Sequence, residues 1–386
     1  MGSWPHGTSP CDNTRIMSGG HTIQPSAGII EYGDAGSDLA FQQEILQGVS
    51  RTFALTIPQL PEPLCTVVGN AYLLCRLADT IEDSVELDGS TKQRFAAQFI
   101  EVVGGRIGAA GFAREFGAML DERTPAAERE LVRNTERVVR LTHAFNEHQR
   151  TVLERCVTIM SQGMSAYQEA PSLAGLENQA ELDRYCYFVA GVVGEMLTEL
   201  FCEHCEMSES ERQQLMALAV SFGQGLQMTN ILKDIWEDRR RGACWLPGDV
   251  FEKHGVNLES MTEEGANPGF AIALDELIGI AAHHLNNALE FTLRLPDSQP
   301  GIRRFCLWAL GMAVMTLRKL HSQPAFKRGD QVKISRTTVR ATVAATSVAV
   351  RRDAALRRLF AFAAKTLPLP PPDYRQADVS CWERTA

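Results

Sequence analysis

No stretch of the 386-residue chain approaches the ~18 uninterrupted apolar residues that a membrane-spanning helix requires. The first ~35 residues, rich in Gly, Ser, Pro and Thr, contain no apolar core of the kind a secretory signal carries, and predict a disordered leader. The Leu367-Pro-Leu-Pro-Pro-Pro372 run and the polar residues after it predict a tail over 367–386 and no C-terminal anchor. Asp and Glu (47) outnumber Lys and Arg (38) for a net charge of −9, and there is no long basic tract. Nucleic acid is thereby excluded as the main partner, whereas a local cationic surface remains compatible with phospholipid. No second CxxC or His pair follows Cys202-Glu-His-Cys205 at a finger-like interval, so two helix-borne thiols are preferred to a zinc site. The ten cysteines are scattered singly through apolar segments, as at Cys65, Cys75, Cys156 and Cys306. They predict reduced, buried thiols and a cytoplasmic protein.

Strand-like alternation is scarce, and no Gly-rich strand–turn–helix fingerprint for a dinucleotide occurs. Helical spacing dominates instead. Leu39, Ile45, Leu46, Val49 and Phe53 trace one face of a first helix, which Pro58, Pro61 and Pro63 break. A second helix is predicted over 64–83 and a third after the cap signal Ser90/Thr91. Further helices are expected over 128–141, 143–167, 181–205, 209–241, 271–293, 303–321 and 336–364, with Gly242 ending the one over 209–241, which carries a second acidic motif. With 45% hydrophobic residues the chain can build a large core. The expectation is an all-α, single-domain bundle over 36–366 with a central cavity, where ligand sites form between facing helices.

Two copies of one pattern carry the chemistry: Asp79-Thr-Ile-Glu-Asp83 and Asp234-Ile-Trp-Glu-Asp238. Each sets aspartates at i and i+4, on one helical face about one turn apart. Carboxylates in apolar helical surroundings are costly to bury without a counter-ion. Hard oxygen donors at this spacing suit Mg²⁺, which keeps several waters and commonly bridges carboxylates to phosphate oxygens. Either copy alone also fits a solvated face or pairing with a local Arg; two copies, each after an apolar helix, favour a shared metal-diphosphate site. Such a site stabilises diphosphate as a leaving group, which is easiest when the carbon fragment is an allylic cation. Arg76 lies one turn before Asp79, Lys233 directly precedes Asp234, and Ser50-Arg51-Thr52-Phe53 ends the first helix. These cations suit phosphate, though intrahelical pairing is open for each. In Tyr185-Cys-Tyr187-Phe-Val-Ala-Gly-Val-Val-Gly194, Gly191 and Gly194 imply close helix packing or room for a ligand. A Tyr upstream can present its ring and hydroxyl to a bound cation, or serve only as core.

Together, Ser50–Phe53, Tyr72–Asp83, Tyr185–Gly194 and Gln227–Asp238, in this order, resemble the squalene/phytoene synthase family of head-to-head prenyl synthases, over about 38–364. The resemblance implies one all-α isoprenoid-synthase domain. It implies metal binding by Asp79, Glu82, Asp83, Asp234 and Asp238, with the four aspartates and Tyr185 catalytic. Ser50, Arg51, Phe53, Tyr72, Arg76, Gln227, Asn230 and Lys233 are implied to bind substrate. Phe305-Cys306 and Gln331-Val-Lys-Ile334 resemble the squalene-forming members. That implies condensation of two farnesyl diphosphates, through presqualene diphosphate, and reduction by NADPH to squalene. Phe305 would wall the second-step pocket, and Arg51, Arg76, Lys333 and Arg336 would hold the cofactor. Two departures stand out: Ser335 replaces an expected Arg after Ile334, and Lys233 stands where Arg is frequent, keeping charge but losing the bidentate fork. The alternatives are a dehydrosqualene or phytoene synthase that needs no NADPH, and an inactive assembly protein. Greasy substrate and product lead us to expect reversible association with a membrane surface.

Overall fold

Proline chemistry divides the amino-terminal helices in this computed structural model, which describes residues 35–167, 172–262 and 268–376. Helix α1 (Ala35–Val49) gives way to the single turn α2 (Phe53–Thr56), and α3 (Leu64–Asp83) begins after the three prolines. Then come α4 (Gly89–Val103), α5 (Ala109–Met119), α6 (Ala126–Arg133), α7 (Thr135–Ala144) and α8 (Glu147–Ser165). Helix α9 (Gln179–Cys186) runs through a π-helical turn, Tyr187–Gly191, into α10 (Val192–His204). The long α11 (Glu209–Arg240) is followed by α12 (Gly248–Glu252), α13 (Pro268–Arg294), α14 (Pro300–Ser322), α15 (Arg336–Ala349) and α16 (Asp353–Ala364). Among the described residues the only β feature is an isolated bridge between Leu176 and Pro247. The fold is all-α, and the described residues from Gly36 onward group as one compact unit. The leader expected over the first residues, and the end of the tail beyond 376, lie outside the described residues.

Several helix boundaries differ from the sequence expectation, each for a local reason. Phe53 starts α2 instead of ending α1, because Ser50 Oγ accepts the Phe53 N–H (2.9 Å) and turns the chain. The cap of α4 is Asp88, whose carboxylate accepts from the Thr91 N–H (2.7 Å), and not Ser90 or Thr91. The segment expected as one helix over 336–364 is two, because the buried Arg303 takes the Val350 carbonyl (3.2 Å) and the Asp353 carboxylate (2.7 Å) at the break. Gly242 stops α11 as expected, in the left-handed region at φ 86°. Capping of α11 at its other end is a reciprocal Ser208–Glu211 box.

Helices α11 and α13 form the centre, with α10 and α14 against them and α8 bridging α3 to α10. The two glycine positions explain the closeness of α10 and α11. A Cβ at Gly194 would lie 2.0 Å from the Ala219 carbonyl oxygen, and one at Gly223 only 1.9 Å from that of Ala190. The chain after α16 packs back onto this centre through buried polar groups, extending the unit past 366. Tyr374 Oη lies 2.8 Å from His284 Nε2 and donates to Asp183 Oδ2 (3.2 Å). Two helices, Leu64–Asp83 and Gln179–His204, are long and apolar enough to cross a membrane; they are 72% and 78% buried in the core. Their apolar residues are therefore used by the fold itself. The eight described cysteines, Cys202 and Cys205 among them, are unbridged.

Candidate active site

Both acidic motifs stand at the carboxyl ends of their helices: Asp83 is the last residue of α3, and Asp238 lies two residues from the end of α11. Helix dipoles place partial negative charge there, so carboxylates at these positions are disfavoured by their own backbone. The side chains add to this. Burial pushes Asp79 up to about 7, with Arg76 opposing and Asp83 and Glu128 reinforcing the shift. Burial also brings Asp238 to about 7, reinforced by Asp234 and, from the other motif, by Asp83. Glu82 is held well above its ordinary range by burial and then by Asp83 and Asp79. The two motifs thus face each other and share one field.

The donor set fits hard divalent cations. Among the described residues no three Asp, Glu, His or Cys side chains close on a common point. Mg²⁺ rarely uses an all-protein cage and completes its shell with water and phosphate oxygens, so separated carboxylates at two helix ends suit it.

Cations line the first motif. Arg76 Nη1 is 3.6 Å from Asp79 Oδ2, and Arg76 Nη2 donates to Tyr72 Oη (3.0 Å). Lys92 of α4 donates to the Glu82 carbonyl. At the second motif Lys233 Nζ lies 3.0 Å from Asp234 Oδ2 and 3.3 Å from Asn230 Oδ1. Asn230 is exposed and Gln227, one turn earlier, is half-buried. Arg51 is exposed in the turn before α2.

Tyr185 sits beside the first motif. It is buried, hydrogen-bonds the Glu82 side chain, stacks on Trp245 (4.1 Å between centroids, 9°) and meets Tyr167 edge-on (5.2 Å). Burial and then Glu82 and Asp83 hold its hydroxyl well above the ordinary phenol value, so it stays protonated. The loop bearing Trp245 is fixed by the Leu176 N–H to Leu246 O bond (2.9 Å) and the Gly248 N–H to Leu176 O bond (2.7 Å).

An aromatic wall leads away from the acids. Phe201 meets Phe305 edge-on (6.0 Å), Phe305 lies 6.3 Å from Phe53, and Phe53 lies 5.1 Å from Tyr72, whose hydroxyl joins Arg76. Phe305 is 1% exposed. The site therefore has one charged end and one aromatic side.

The turn Gly329–Val332 packs on α11, where the Gly329 N–H donates to Glu237 Oε1 (2.9 Å). Glu237 is thus turned away from the role its counterpart Glu82 has. Lys333 and Arg336 follow, both exposed, and the Lys333 carbonyl accepts from Lys319 Nζ (2.8 Å). Ser335 accepts from the Thr338 N–H (3.0 Å) and caps α15, a local use for the residue that replaces Arg. Arg336 is the first residue of that helix, a cation at a positive dipole end, where an anion would relieve it.

The chain resembles known proteins in sequence and fold. The squalene/phytoene synthase family model matches residues 46–338. The chain belongs to that family. It is 28% identical to the squalene synthase ERG9 of Candida albicans over 302 residues, 76% of this chain and 64% of that protein. It is 29% identical to the squalene synthase BSS of Botryococcus braunii, covering 78% of this chain and 63% of that one. The match thus spans just under two thirds of these relatives. A solved complex of TcSQS with the ligand BPH1237 superposes with TM-score 0.70 at 22% identity, covering 90% of this chain and 96% of that one. A dehydrosqualene synthase in complex with ligand gives 0.58 at 19%, covering 81% and 96%. At such identities the likeness is one of fold, and family members share the bundle described above.

Sequence reasoning overlooked Glu128, Lys92, Trp245 and Arg241, whose charge opposes the upward shift of Asp238. Glu128 accepts from Thr80 Oγ1 (3.4 Å) and adds its charge to the first motif. Its place in an ordinary charged helix gives no signal. Trp245 had one: an aromatic residue in the loop directly after the second motif's helix.

Proposed function

We propose that the chain joins two farnesyl diphosphates head-to-head, through presqualene diphosphate, and reduces the product to squalene. The observation that carries this reading is the pair of acidic helix ends whose charges act on one another, with the buried Tyr185 against the first of them. Asp79, Glu82, Asp83, Asp234 and Asp238 would hold Mg²⁺, which neutralises the departing diphosphate when bound. Arg76 and Lys233 stand beside the motifs to bind diphosphate oxygens, with Ser50 and Arg51 on the turn before α2 and Gln227 and Asn230 on the α11 side. Tyr185, protonated and held by Glu82, supplies a hydroxyl and a ring face for the first-step proton transfer and for the developing cation. Phe305, Phe53 and Tyr72 exclude water from the hydrocarbon cation and offer it aromatic faces.

Lys333 and Arg336, at the positive end of α15 beside the second motif, would hold the phosphates of NADPH, which supplies the hydride that ends the second step. Arg51 and Arg76 would assist. A second reading is favoured by one departure: Ser335 lacks the charge of the Arg expected there, and a dehydrosqualene or phytoene synthase needs no such contact. Incubation of the purified chain with farnesyl or geranylgeranyl diphosphate and Mg²⁺, with and without NADPH, separates the two. Squalene only with NADPH, and presqualene diphosphate accumulating without it, supports the proposal. Dehydrosqualene or phytoene as the main product regardless of NADPH overturns it, and no turnover with either substrate favours an assembly protein.

A further inference from the structure

Charge is distributed unevenly along the chain. Residues 303–365 carry fourteen Lys and Arg against two Asp, in a protein whose net charge is −9. This stretch forms α14, α15 and α16, and an apolar groove of about 490 Å³ opens between the three helices. Its walls include Leu307, Leu310 and Val314 of α14, Ala341 and Ala345 of α15, and Leu359 of α16. Two large apolar side chains stand out to solvent on this face: Phe362, at the groove, is 74% exposed, and Val348 of α15 is 79% exposed. Val348 continues the groove-lining strip of Ala341 and Ala345 at helical spacing.

The cations stand next to these residues. Arg358 and Lys365 are four before and three after Phe362, hence on its strip of α16, and Arg351 is three after Val348. All three are exposed, and Arg318 lines the groove itself. Apolar side chains ringed by Arg and Lys match a lipid surface, with rings and aliphatic groups at the acyl boundary and cations at the phosphates. The acidic remainder of the chain is repelled by the same surface, so the charge asymmetry also sets orientation.

We propose that the α14–α16 face docks the protein on an anionic lipid bilayer. This does not depend on which reaction the acidic cleft performs. Co-sedimentation of the full chain with vesicles of phosphatidylcholine alone, or with added phosphatidylglycerol, tests it at low and high salt. Binding is expected only to the anionic vesicles and is expected to weaken with salt. Each cation near the surface contributes about fivefold, so the Arg351→Glu, Arg358→Glu, Lys365→Glu triple variant should lose ~100-fold or more in partitioning. Phe362→Ser should lose about tenfold. Unchanged circular dichroism, thermal midpoint and turnover in detergent would show that the variants keep the fold. Equal binding to both vesicle types, full binding by the variants, or no binding to anionic vesicles at low salt overturns the proposal. So does a change of oligomeric state by Phe362→Ser without lipid, which would make the face a contact between copies.

Discussion

The two acidic motifs share a pattern and differ in what surrounds it. At the first, Glu82 turns to Tyr185, Arg76 answers Asp79, and Glu128 arrives from α6. At the second, Glu237 accepts the Gly329 N–H and serves to seat the turn that precedes Lys333. Asp234 and Asp238 remain there, and Asp234 is paired with Lys233 in place of an Arg. Equal sequence therefore does not mean equal work. The first motif is built into the tyrosine and the aromatic wall, and the second into the cationic segment at the start of α15.

The largest effect expected is from Asp79→Asn with Asp83→Asn. Diphosphate release from farnesyl diphosphate should fall by ~10³-fold or more, because the carboxylates of the second motif alone would hold too little Mg²⁺ to neutralise the leaving group. The comparison itself is sharpened by the two glutamates. Glu82→Gln should slow the first half-reaction about 100-fold. Glu237→Gln should leave that step within about threefold and instead raise KM for NADPH, since it loosens a charge-assisted bond worth about 2 kcal/mol. Equal losses in both variants would erase the distinction.

A smaller, pH-dependent effect follows from the shared field. In the folded, metal-free chain Asp79 and Asp238 have moved from 3.8 to about 7. Buried Asp183 has moved the same way, also to about 7. Between those values the folded state binds more protons than the unfolded one, so stability falls as pH rises from about 4 to 7. The buried His284, lowered from 6.5 to about 3, acts in the opposite sense below 6.5. Melting curves without metal should show the net decline. Mg²⁺ with inorganic diphosphate should raise the midpoint more at pH 8 than at pH 6, where protons compete for the same oxygens. The smallest effect belongs to Ser335→Ala, which removes the α15 cap and should cost about 1 kcal/mol by denaturant unfolding while sparing the first half-reaction.

The helices and the acidic pair were legible because apolar period and i, i+4 spacing are local. Leu64–Asp83 is placed correctly to the residue for that reason. The role of Glu237 was not, since its partner lies 92 residues away. Glu128 and Lys92 were hidden for the same reason, because they belong to the site only by packing. The cationic face around the apolar groove gave no signal because its charges are spread over three helices and form no tract. The break between α15 and α16 was invisible because Arg303 imposes it from another helix.

The π-helical turn at Tyr187–Gly191 has a further meaning. It lies between the half of the helix that aims Tyr185 at the acids and the half that Gly194 locks against α11. An added residue in a helix advances everything beyond it by about 100°. The turn is thus an indexing step, which sets the angle of the tyrosine without disturbing the glycine lock. In a bundle of this kind the aim of a reactive side chain can be changed by the length of one helix, while the composition of both halves stays the same.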